Sequence, residues 1–179
     1  MHHKKINFHF YNTLCSKSTH SMLFKHHGVT SGNAAQTFFG LIADGLNQNP
    51  LSKVYVNSIL PVNYAEQKKR FWNLKSEEEN SISYNYVPIF NLPIFKNLLS
   101  SFYIFFQILF KKVLPNEKNV VILDFLRFSI NFPAFLACKL RGIKTVVIVT
   151  DLPGEDVLKK TLKVKLRNLI IFSLSFDFY

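Results

Sequence analysis

Cysteine, glycine, proline and acidic residues are all scarce in this chain of 179 residues. The only two cysteines, Cys15 and Cys138, stand far apart with no Cys-x-x-Cys spacing, which excludes a disulfide scaffold and a zinc knuckle and points to a reducing compartment. Six Gly and seven Pro supply too few turn-makers for an all-β sandwich. No apolar run reaches the roughly 20 residues that a bilayer span needs. The most apolar stretch, 98–110, is broken by Ser100, Ser101 and Gln107 and is expected to form a buried or interface-lying helix. Nor is a secretory leader expected, because the run that follows Lys4-Lys5 (Ile6-Asn7-Phe8-His9-Phe10) is too short and polar.

Hydrophobic residues make up 48% of the chain and aromatic residues 15%, enough for one domain with a real core and against a disordered tail. Acid is outnumbered, 11 Asp and Glu against 22 Lys and Arg, and the formal charge of +11 asks for an anionic partner: an acidic ligand, an anionic membrane surface or nucleic acid. No RNP-like, helix-turn-helix or zinc-finger pattern is present, so nucleic acid is set aside.

Strand and helix patterns alternate along the chain. Alternating or β-branched runs at 6–11, 53–60, 82–87, 119–123 and 143–150 predict five strands. Helical spacing predicts helices over 33–46, 94–114 and 128–140, the last stopped by Gly142. The polar stretch 12–32 carries no clear pattern, and 64–79 reads as a charged surface helix or loop. This order implies an α/β fold with a Rossmann-like, doubly wound parallel sheet forming a single domain over 1–179.

Ligands in such sheets sit at the carboxyl ends of the strands, which directs attention to three places. Val146-Val147-Ile148-Val149 reads as a strand buried on both faces, and it ends in Thr150 and Asp151 before a Pro153-Gly154 turn. Asp151 is the first candidate for chemistry, with helix capping as the alternative. Asp124 follows the fourth strand, where a carboxylate suits either sugar hydroxyls and proton transfer or a helix cap. Thr30, Ser31, Gly32 and Asn33 form a loop at a helix amino terminus, a place where free N–H groups attract anions and where a plain cap is the competing reading.

Other features carry less. His26 and His27 are adjacent and point apart on regular structure, so no metal site is expected. Glu77-Glu78-Glu79 reads as a solvated face. Lys159, Lys160, Lys163, Lys165 and Arg167 interleave with leucines, the pattern of either a surface helix packed on the sheet or a membrane-surface helix.

Taken together, the first strand, the Ser31-Gly32 loop, Ala34-Ala35-Gln36-Thr37-Phe38, Leu41-Ile42-Ala43-Asp44-Gly45-Leu46 and Val149-Thr150-Asp151-Leu152-Pro153-Gly154 resemble the amino-terminal half of GT-B glycosyltransferases. The likeness is to family-four enzymes of bacterial surface-polysaccharide synthesis. The resemblance implies an acceptor-binding domain whose Thr30, Ser31, Gly32 and Asn33 lie near the donor phosphates and the acceptor. Asp151 takes the place where better-known members carry a His, and Ser31-Gly32 replaces their Gly-Gly. It further implies a cytoplasmic protein peripheral to the inner membrane, with a nucleotide-sugar donor, a polysaccharide or lipid-linked acceptor and no cofactor. The donor belongs to a second domain, which is not expected within these residues, so 1–179 alone is expected to be inactive. The reading from another class is a non-catalytic Rossmann-like binding module or a small membrane-surface protein.

Overall fold

The computed structural model describes residues 4–24, 33–93, 95–112, 117–124 and 127–149. In chain order the elements are β1 (Lys5–Asn12), α1 (Lys17–Phe24), α2 (Asn33–Asn47), β2 (Ser52–Ser58), β3 (Phe71–Trp72), β4 (Glu77–Glu79), β5 (Ile82–Tyr86), β6 (Ile89–Phe90), α3 (Phe95–Phe110), β7 (Glu117–Asp124), α4 (Phe128–Leu140) and β8 (Lys144–Ile148). Six strands form one sheet in the order β4-β5-β2-β1-β7-β8, and β3 pairs with β6 in a small second sheet. All neighbours in the large sheet are parallel except β4, which runs antiparallel to β5. The expected Rossmann-like α/β domain is what forms.

The chain steps from β1 outward to β2 and β5, returns across the sheet to β7, then moves outward the other way to β8. Crossovers of this kind are right-handed almost without exception, so reversing direction moves the connecting helices to the opposite face. Accordingly α2 packs on β2 and β5, while α3 and α4 pack side by side. Phe10, Tyr11, Val54, Val56 and Leu123 in the sheet and Ile104, Ile108, Ala134 and Ala137 of α3 and α4 are all but inaccessible and belong to one core cluster.

Pro133 lies inside α4 and has no N–H to give the carbonyl of Ser129 one turn back. The Ser101 hydroxyl of α3 donates to that carbonyl at 2.8 Å, so the gap left by proline becomes a bond between the two helices. At the other end, Arg141 Nη1 donates to the α3 carbonyls of Ile108 and Leu109 at 3.0 Å each. Gly142 then takes φ +62, with Ile143 N to Cys138 O at 2.9 Å and Gly142 N to Lys139 O at 3.1 Å, the paired bonds of a Schellman stop.

Four expectations need correction. The polar stretch after β1 contains α1, whose Ser16 hydroxyl caps it by accepting Thr19 N at 3.0 Å. The charged region 64–79 is no helix: it holds β3 and β4, and Asn80 (φ 52) with Ser81 (φ 62) makes the two-residue turn that folds β4 back on β5. Glu77 is no solvated face, since it accepts hydroxyls from Ser16, Ser18, Thr19 and Tyr86. Finally, β8 is the last strand of the sheet among the described residues, and Val146 is 46% exposed, so this β-branched run is not buried on both faces.

Polar side chains at the amino end of the sheet make a second small network. His9 Nε2 meets Asn119 Oδ1 at 2.9 Å, which leaves Nδ1 to accept from Lys111 Nζ at 2.9 Å, and Tyr55 stacks on the imidazole at 5.0 Å. Burial, reinforced by the Lys111 charge, lowers the His9 pKa to about 4. The unfolded imidazole takes up its proton near its ordinary value of 6.5, so stability falls as pH drops from there toward 4. By pH 5 this one group costs about 2 kcal/mol. Urea unfolding of the wild type and His9→Gln at pH 7 and pH 5 checks it; the Gln variant is expected to lose less stability on acidification.

Candidate functional site

In a sheet of this order the switch point lies between β1 and β7, where the chain first leaves β1 in one direction and later in the other. Tyr11 is aligned with Leu123, so the next residues, Asn12 and Asp124, stand side by side at the carboxyl edge. Both are buried. Asn12 Oδ1 accepts Leu14 N at 2.9 Å and turns the chain out of the strand, while its Nδ2 is buried without a partner among the described residues. Across the edge, Asn131 of α4 donates from Nδ2 to the Asp124 carbonyl, and its Oδ1 is likewise buried with no partner among the described residues. An orphaned buried amide typically costs about 1–3 kcal/mol, and sites that bind ligands are where such groups persist.

Two cations flank this edge. Lys96, in the first turn of α3, reaches over the end of β2 to donate to Leu60 O at 2.9 Å and Val62 O at 2.5 Å. Burial, then the neighbouring Arg127 charge, lowers its pKa to about 8. Arg127 occupies the cap position of α4 and makes no side-chain capping bond. Burial lowers the pKa of its guanidinium and the Asp124 carboxylate opposes that shift. The carboxyl edge thus carries two mutually repelling half-buried cations and one carboxylate, an arrangement that an anionic ligand would neutralise.

The loop after β1 closes the other side of the edge. Gln36 of α2 accepts Cys15 N at 3.0 Å and donates to Thr13 O at 2.6 Å, which holds α2 against the loop. Cys15 Sγ lies 3.5 Å from Ser58 Oγ, and burial raises its thiol to about 11. Cys138 is also free and buried, its thiol raised to about 11. Neither thiol is a nucleophile at neutral pH.

The residues singled out from sequence fare unequally. Asp124 is where expected, at the end of a central strand. It is not the helix cap, because that position falls to Arg127 three residues on. Asn33 opens α2, as the helical spacing predicts. Thr30, Ser31, Gly32, Thr150 and Asp151 lie outside the described residues, as do His26, His27 and the basic stretch 159–167. Among the described residues, no group of three His, Cys, Asp or Glu side chains could hold a metal ion.

Sequence reasoning missed Asn12, Lys96, Arg127 and Asn131. Asn12 and Arg127 follow strands just as Asp124 does, so the same strand-end rule would have found them. Lys96 carried a signal too, as the only charged residue in a helix of Phe and Leu.

No family model, no curated protein and no solved structure matches this chain.

Proposed function

We propose that this chain is the acceptor-binding half of a GT-B glycosyltransferase. On this reading the enzyme moves a sugar from a nucleotide-sugar donor to a polysaccharide or lipid-linked acceptor at the cytoplasmic face of the inner membrane. The observation that carries the reading is the switch-point edge, where the carboxylate of Asp124 and the amides of Asn12 and Asn131 stand with Lys96 and Arg127. Carboxylates and amides suit sugar hydroxyls; the paired cations suit the phosphate through which a lipid-linked sugar is attached. The resemblance in the Ser31-Gly32 and Thr150-Asp151 segments adds the reaction type, with Asp151 as general acid or base and Thr30, Ser31, Gly32, Asn33 and Thr150 lining the substrate. The donor nucleotide would be held by the family's second domain, and nucleic acid plays no part.

Saturation-transfer NMR on the chain tests this with three probes: a short-chain prenyl diphosphate sugar, UDP-glucose and methyl glucoside. The prenyl diphosphate sugar is expected to bind saturably, UDP-glucose more weakly and methyl glucoside not at all. Its affinity should fall as pH rises through about 8, where Lys96 loses its proton. Absence of saturable binding by the prenyl diphosphate sugar, or tightest binding by UDP-glucose, overturns the proposal.

A further inference from the structure

Helix α3 is built inside out. Its buried face includes Ser100 and Ser101 along with Ile104 and Ile108, whereas its exposed face carries Phe95, Leu98, Leu99, Phe102, Phe106 and Phe110. Those six recur at spacings of three and four, a single stripe along the helix. Phe110 is 75% exposed, and Phe106 and Phe110 stack at 6.0 Å on the outside of the molecule. A helix in water arranges these residue types the other way round. The neighbouring α4 repeats the pattern with exposed Phe132, Leu136 and Leu140, the last 64% exposed. Neither helix contains an Asp or Glu. Exposed apolar surface on this scale marks an interaction site.

The charges around the stripe identify the partner. At the carboxyl end of α3 and α4, Lys112, Lys139 and Lys144 are exposed. Near the amino end of α3, which packs on β6, Lys68, Lys69 and Arg70 are exposed beside Phe71, and Phe71 and Phe90 are themselves half-exposed with rings 5.1 Å apart. An apolar stripe with basic residues at both ends matches a surface that is anionic outside and hydrocarbon beneath. No helix among the described residues is long and apolar enough to cross a membrane, so α3 is suited to lying in such a surface.

We infer that the α3–α4 face docks the protein on an anionic lipid bilayer, with the aromatic side chains entering the acyl boundary and the flanking lysines meeting lipid phosphates. The inference rests on the membrane-bound part of the function proposed above and fixes which face does the binding. The basic stretch 159–167, outside the described residues, is the competing sequence.

Co-sedimentation of the full chain with phosphatidylcholine vesicles, with and without phosphatidylglycerol, tests it alongside Phe102→Ser/Phe106→Ser. Both substituted rings are exposed, and circular dichroism checks that the fold is kept; should that variant unfold, Phe110→Ser/Leu140→Ser replaces it. The wild type is expected to bind phosphatidylglycerol vesicles, more weakly in high salt. The double variant should lose binding by about a hundredfold, as expected for two aromatic rings leaving the membrane. Phe106→Trp should shift its emission to the blue on the same vesicles and be quenched by brominated lipid. Binding that survives the double variant overturns this face and leaves the membrane reading standing. A wild type that binds neither vesicle overturns both. A dimer in sedimentation that the double variant dissolves assigns the face to a second copy and overturns the inference.

Discussion

Glu77→Ala is expected to cost about 3 kcal/mol of folding stability, the largest loss from any single substitution proposed here, since hydrogen bonds to a charged group are worth about 1.5–3 kcal/mol each before solvent takes its share. Glu77 Oε1 accepts Thr19 Oγ1 at 2.7 Å and the Tyr86 hydroxyl at 2.5 Å, as well as Ser16 Oγ, and Oε2 accepts Ser18 Oγ at 3.0 Å. Three of those hydroxyls belong to the start of α1 and the fourth to the end of β5, so one carboxylate ties the β1 loop to the far side of the sheet. Water reaches the carboxylate and will satisfy part of what alanine removes, which holds the estimate near the cost of two such bonds. Burial alone would raise the Glu77 pKa, but the hydroxyls of Ser16, Tyr86, Thr19 and Ser18 outweigh it and keep it below the usual carboxylate range. With the folded value depressed, the stabilisation is complete above the unfolded value and is lost as pH falls through the folded one. Urea unfolding of Glu77→Ala and Glu77→Gln measures this. A cost below about 1 kcal/mol for Glu77→Ala would return the residue to an ordinary surface role.

That network also bears on where a ligand's anionic group goes. The amino terminus of the first helix is a common phosphate site in doubly wound folds, because its N–H groups are unpaired and its dipole is positive there. Here the position is taken by the protein itself: Glu79 accepts Lys17 N at 2.9 Å and Glu77 takes the hydroxyls of the same turn. With that terminus occupied, Lys96 and Arg127 are the side-chain cations placed to meet a phosphate at the described edge.

Periodicity made the central sheet legible in advance. The alternation in β5, buried at every second residue, reflects burial that is local and regular, so residue spacing alone places it. In α2 the spacing finds the helix but not its buried face: Phe39 and Ala43 are buried while Phe38 and Leu41 are exposed. What spacing could not show depends on partners distant in sequence. The acidic triplet at 77–79 looked like solvent-facing charge because its donors are Ser16 and Thr19, some sixty positions earlier. Asn80-Ser81 carries a turn signal that the surrounding charge obscured. The Val146 run has the composition of a central strand yet lies at the end of the sheet among the described residues, because composition reports how well a residue fits a strand and not where that strand ranks. Asp124 was legible as a strand-end carboxylate, whereas Lys96 becomes part of the site only because α3 crosses the sheet and brings its first turn over the end of β2.

The joint substitution Lys96→Gln/Arg127→Gln is expected to weaken binding of the prenyl diphosphate sugar by about a hundredfold, as each charge-assisted contact with phosphate is worth roughly a factor of ten or more. The two cations interact, so the single substitutions should not add up to the double. Their coupling also distinguishes ligand contact from a structural role. Arg127 is one of the reasons Lys96 holds its proton poorly, with a pKa of about 8. Arg127→Gln alone should therefore raise the Lys96 pKa and carry the alkaline decline in binding to higher pH, even as affinity at neutral pH falls. Lys96→Gln should abolish that alkaline decline. Titrations of the ligand at pH 7, 8 and 9 on the wild type and both single variants read these shifts directly, with urea unfolding as the control for fold. If the variants bind as the wild type does, or if stability falls while affinity and its pH profile stay put, Lys96 and Arg127 are structural and the anionic group is held elsewhere.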